Sequence, residues 1–194
     1  MLAAVLFSGC VLGFDSCSSN SKTECPGETE DTTPMVQDTY LAAVDRYLVD
    51  SIGSRYTQGN VCIPCATVVG TDESSPDSVL VWGDFWVYNF TIAGDTLRTV
   101  SGGSHPGMML VLRGDDGNYA VASFDQVVDG SGNLESAKRI FGDKYDAFHA
   151  VNSDQEKREE ARKRFIADYV KANSLPVKCY QDYGWPVVQL PVED

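Results

Sequence analysis

Between Val79 and Ile92 the chain places Trp82, Phe85, Trp86, Tyr88 and Phe90 in one run of aromatic and β-branched residues. Such a run reads as a strand, and successive side chains on a strand point to opposite faces. Trp82, Asp84, Trp86, Tyr88 and Phe90 therefore share one face, and Phe85 and Val87 share the other. Large aromatics on both faces demand cover on both sides, unless one face lines a cavity. Core packing is the preferred reading. Asp84 is the discordant member, because a carboxylate among rings needs a partner or a wet cavity. A pocket here would be bounded by Trp82, Asp84 and Trp86.

The flanking sequence supplies that cover. Tyr40, Leu41, Val44, Tyr47, Leu48 and Ile52 recur at three- and four-residue steps, predicting a helix that ends at Gly53. Val61 to Thr71, Thr96 to Val100, Met108 to Arg113 and Tyr119 to Phe124 read as further strands joined by short turns, hence antiparallel. Leu134 to Phe141 and Lys144 to Val151 are short helices. Ser153 and Glu156 form a capping box that opens a long helix to about Asn173. On that helix Glu159 would pair with Lys163 and Glu160 with Arg164, making the charge run a solvated face. After Pro176 the chain extends again, as an edge strand or a surface wrap. The expected fold is α+β: an N-terminal helix on a curved antiparallel sheet of four or five strands, then C-terminal helices. From Thr39 to Phe124 this order resembles the cystatin-like or nuclear-transport-factor-two-like class. Members of that class bind small apolar ligands, pair with proteins or act as enzymes.

Residues 1–14 are apolar or small and uncharged. The run is too short for a bilayer span and suits the core of an export signal. A basic stretch ahead of it is missing, which points to a true start upstream. Leu6-Phe7-Ser8-Gly9-Cys10 resembles the lipobox of bacterial lipoproteins, with Phe7 in place of the usual aliphatic residue. The resemblance implies lipidation of Cys10 and a protein held at the cell membrane or surface. Residues 15–38 are polar and rich in Ser, Thr and Pro, a tether between anchor and domain. Residues 39–194 then form the single domain. Val79 to Phe90 also looks like part of an uncharacterised lipoprotein family of gut bacteria, which brings no activity with it.

The Cys62-Ile63-Pro64-Cys65 spacing resembles the thioredoxin redox motif, but a β-branched run follows it where a helix is needed. Half of a zinc site, completed from Cys179, His105 or His149, is a second reading. A local Cys62–Cys65 disulfide or two buried thiols is the preferred one. Ser101 to Gly107 reads as a polar loop with His105 at its tip, a group able to titrate near neutral pH. Asp129 to Leu134 imitates an EF-hand loop, yet the first ligand position falls on Val127 and the bidentate position on Lys138, so no metal is expected.

A net charge of −13 opposes nucleic acid as a partner. No nucleophile–base spacing, metal motif or cofactor fingerprint is present, and no cofactor is expected. The leading expectation is an exported, lipid-anchored, non-enzymatic envelope protein that binds a small apolar ligand or another protein. Trp82, Asp84, Trp86 and His105 are its candidate binding residues. The alternative is a hydrolase or isomerase of the cystatin-like class using Asp84 and His105. Their convergence on one cleft would favour the enzyme, and their separation would leave binding.

Overall fold

The computed structural model describes residues 39–191. The export region, Cys10 and the tether lie outside the described residues. Helix α1 (Tyr40–Tyr47) starts at Thr39, whose extended backbone and side-chain oxygen, accepting from Ala42 N at 3.1 Å, make an N-cap. The apolar stripe runs on through a π-helical turn, Leu48–Ile52, and a 3-10 turn, Gly53–Arg55. Gly53 keeps a right-handed φ of −58°, so it does not end the helix by a left-handed turn as its position suggests. Glycine is needed there because any Cβ would overlap the Cys62 sulfur.

Strands β1 (Val61–Ser75) and β2 (Ser78–Ala93) pair antiparallel along almost their whole length. Pro64 sits within β1, which an edge strand paired only with β2 tolerates. Strands β3 (Thr96–Ser104) and β4 (Gly107–Arg113) share the other edge of β2. Trp86 faces Ser104 and Gly83 faces Gly107, so β3 and β4 keep one register across a break at His105-Pro106. Proline removes the amide that would continue the ladder, while His105 N still donates to Phe85 O at 2.7 Å.

The stretch expected as a polar loop with a histidine tip is thus mostly strand. Its glycines serve close approach: a Cβ on Gly102 would overlap the Val87 carbonyl, and one on Gly103 the Tyr56 hydroxyl. Strand β5 (Tyr119–Gln126) flanks β4, and β6 (Cys179–Gln181) runs parallel beside β3, with β7 (Val188–Gln189) outside it. Register shifts in the β1–β2, β2–β3 and β4–β5 ladders bend the sheet. The fold is α+β with a curved, mostly antiparallel sheet; seven strands are present among the described residues.

Strand β2 carries the core on both faces, as its aromatics require. Phe85, Val87, Val79 and Val81 pack with Val44, Leu48 and Ile52 from the α1 side. On the opposite face, Trp86, Tyr88 and Phe90 pack with Ile166 of α4 (Gln155–Ala172) and with Tyr180. Trp82 joins a third cluster with Ile140 and Phe141 of α2 (Asn133–Phe141) and Phe148 of α3 (Tyr145–Asn152). Asp129 leads into a 3-10 turn, Gly130–Gly132, and then α2, so the EF-hand-like residues form a helix entry.

Two local expectations for α4 are corrected. Asp154 caps it, accepting from Lys157 N at 3.1 Å, while Ser153 Oγ donates to the His149 carbonyl at 2.6 Å. That bond turns the Ser153 side chain back toward its own preceding helix and away from the first amides of α4. The pairs Glu159–Lys163 and Glu160–Arg164 do not form among the described residues; Glu159 lies 3.7 Å from Arg162 instead. The charge run is therefore not wholly solvated, because Arg162 points inward.

Candidate functional site

The face of β2 under α4 holds three of the four candidate binding residues, and they part company there. Trp82 donates from Nε1 to the Ile140 carbonyl at 2.9 Å, and the Lys144 ammonium lies 4.5 Å above its ring. It ties α2 to the sheet and is not among the residues lining the cavity beside Asp84. Asp84 and Trp86 do border one, of about 130 Å³, closed above by Gln155, Arg158 and Arg162 of α4. That volume is well short of the ~300–1,000 Å³ of small-molecule sites. Trp86 stacks on Tyr88 with centroids 5.7 Å apart.

Asp84 is 1% exposed and is partnered. Ser104 Oγ donates to it at 3.4 Å, and the side chains of Trp86 and Asn152 also bond it. Burial pushes its carboxyl above the usual range, opposed by those donors and by Arg158. Asn152 ends α3 and Arg158 lies on α4, so the carboxylate faces both helices.

His105 lies on the other face of the sheet. Its Nε2 is 2.9 Å from the Tyr56 hydroxyl, beside residues of the α1 cluster. Burial lowers its pKa, opposed by Gln126 and Asp129. The strand alternation that puts Ser104 with Asp84 turns His105 away, so the two candidate catalytic groups do not converge.

The cysteines are also separated by strand parity. Cys62 packs toward α1 and Cys65 toward α4, and both are free thiols. Of the two forms of the structural reading, the Cys62–Cys65 disulfide is corrected on this ground, since residues three apart in a strand face opposite sides, and the pair of free thiols is the form found. The same parity prevents them from ligating one ion together. Burial raises both thiols, which favours the protonated form over the nucleophilic thiolate. Cys179 packs against Thr96 Oγ1 at 3.1 Å in β6.

The strongest arrangement was missed in the sequence. Arg162, 6% exposed, grips Asp182 through both terminal nitrogens, each at 2.8 Å, and donates to Thr99 Oγ1 at 3.2 Å. Thr99 donates in turn to Asp182. The guanidinium lies 4.0 Å over the Tyr88 ring and 4.7 Å over that of Tyr180. Desolvation is the largest single influence and opposes its charge, but Asp182 together with Tyr88 and Tyr180 more than offsets it, so the guanidinium stays protonated. Arg162 holds the Asp182 carboxyl below the usual range, and burial pushes the Tyr180 phenol up to about 12.

This clamp holds the root of the turn that joins β6 to β7. Trp185 N donates to Asp182 O at 3.1 Å, Gln181 Nε2 donates to Trp185 O at 3.0 Å, and Gly184 adopts φ +77°. The turn thereby displays Tyr183 at 97% and Trp185 at 71% exposure. Asp-Tyr-Gly-Trp reads as a turn by composition, and its two aromatics were the signal available. Nothing in the charge run marks Arg162 as buried. No family model, no curated protein and no solved structure matches this chain.

Proposed function

We propose that this is an exported, lipid-anchored, non-enzymatic protein of the cell envelope whose domain binds another protein through the Tyr183–Trp185 turn. One observation carries the reading: two large aromatics stand in solvent on a turn whose root is held by a buried bidentate ion pair. Tyr and Trp dominate binding hot spots because they offer large, stiff, amphipathic area at small entropic cost. A turn already fixed by Arg162 loses little further freedom on binding. The separation of Asp84 from His105 weighs against the enzyme alternative. A helix laid on a curved sheet is also the arrangement of the cystatin-like class, and that likeness carries no activity with it. No helix among the described residues is long and apolar enough to cross a membrane, so membrane attachment rests on the lipobox-like Cys10.

Both halves of this reading have a test. Cys10→Ala should move the protein from the membrane fraction to the soluble fraction, and unchanged fractionation would remove the anchor from the proposal. Tyr183→Ser with Trp185→Ser should leave the melting temperature within about 2 °C, because exposed positions contribute little to folding. The same pair should weaken capture of a specific envelope protein at least about tenfold, a loss of one such hot spot, and the captured protein, purified, should reproduce that ratio. Equal binding by parent and variant would exclude the turn as the interface.

A further inference from the structure

The second half of α4 and the segment that follows it enclose a groove that lies apart from the Arg162 clamp. Helix α4 ends at Ala172, and Ser174, with φ 51°, reverses the chain. Leu175 N donates to Val170 O at 3.0 Å, which folds the returning segment back against the helix. Leu190 N donates to Lys178 O at 2.9 Å and fixes the far wall. The enclosed volume is about 850 Å³, within the ~300–1,000 Å³ typical of small-molecule sites.

Its chemistry is two-sided. Ala167, Val170, Leu175, Val177 and Leu190 give an apolar floor, and Arg164 and Lys178 stand on the rim, with Asp168 the one carboxylate among the described lining residues. Arg164 and Lys178 carry no ion pair among the described residues. On a chain of net charge −13 this is a local excess of positive charge beside apolar surface. An apolar wall alone would suit many occupants; an apolar wall under a cationic rim selects an amphiphile with an anionic head.

We propose that this groove binds a free long-chain fatty acid, with its carboxylate at the cationic rim and its acyl chain along the Ala167–Leu190 floor. Each methylene withdrawn from water favours binding, and the rim cations add charge-assisted hydrogen bonds to the carboxylate. The test titrates the full chain, purified without detergent, with sodium myristate and separately with 1-tetradecanol, read by calorimetry and native mass spectrometry. One myristate should bind per chain, at least about tenfold more tightly than the uncharged alcohol, as expected of a charge-assisted contact. Arg164→Glu with Lys178→Glu, both at exposed positions, should cut myristate affinity at least about tenfold and leave tetradecanol unchanged. The Tyr183→Ser, Trp185→Ser pair should bind myristate like the parent, so failure of the turn reading and failure of this one are separable. No saturable myristate binding, or binding indifferent to the rim substitutions, would overturn the proposal. So would a concentration-dependent dimer that the rim substitutions abolish, since a second copy would then be the occupant.

Discussion

Replacing Arg162 with methionine is expected to cost about 3 kcal/mol of folding stability, the lower end for removing one partner of a buried ion pair. Asp182 keeps enough solvent access to rehydrate in part, its side chain being 36% exposed, which is why the cost sits at that end. Two further losses fall together: the cation over Tyr88 and Tyr180, and the donor to Thr99. A drop of roughly 6–12 °C in melting temperature follows for a domain of this size. The effect depends on pH in a defined direction. Arg162 depresses the Asp182 carboxyl, so the stabilisation is fully present above the unfolded-state value of about 4 and fades as pH falls through the lower folded-state value. Thermal melts of parent and variant should therefore differ most near neutrality and draw together in acid. A constant difference across that range would mean that packing, not the ion pair, carries the effect. The methionine variant should also loosen the Tyr183–Trp185 turn, seen as faster exchange of the Trp185 amide.

Phe85→Ala is expected to be comparably severe, at ~3–5 kcal/mol, because it deletes a wholly buried ring and leaves a cavity. The ring meets Phe124 edge-on with centroids 5.8 Å apart, so the loss includes an aromatic contact as well as buried area. Trp86→Ala, one residue away on the other face, should cost less. That ring is only partly buried and already borders a cavity, so less packing is lost on truncation. Urea midpoints at constant slope test the order of the two. A larger loss at Trp86 than at Phe85 would show that the α4 face, not the α1 face, dominates the core.

What could be read from the chain was whatever depends on near neighbours along it. The two-residue period of β2 put Phe85 and Val87 on one face and Trp86 and Tyr88 on the other, and both faces are covered. The same parity separates Cys62 from Cys65, because the Cys-x-x-Cys spacing lies within a strand and not at a helix start. Residues 101–107 read as a loop in the sequence because glycine, serine and proline carry no hydrophobic pattern, yet 101–104 and 107 are strand. Residues 101–104 pair with β2 because the backbone passes too close to Val87 and Tyr56 for any side chain.

Periodicity and turn chemistry determined the α+β class, the position of each helix and the placement of the central strand, since these follow from local geometry and from which residues avoid water. Only the tertiary structure decided that Arg162 points inward, that Asp182 returns from twenty residues downstream to meet it, and that Asp84 and His105 are held apart by the sheet. An ion pair of this kind depends on two distant segments arriving at one point, and the energy that selects it appears only when both have been removed from water. The exposure of Tyr183 and Trp185 was decided in the same way: composition names the aromatics, but the clamp beneath them holds them in solvent.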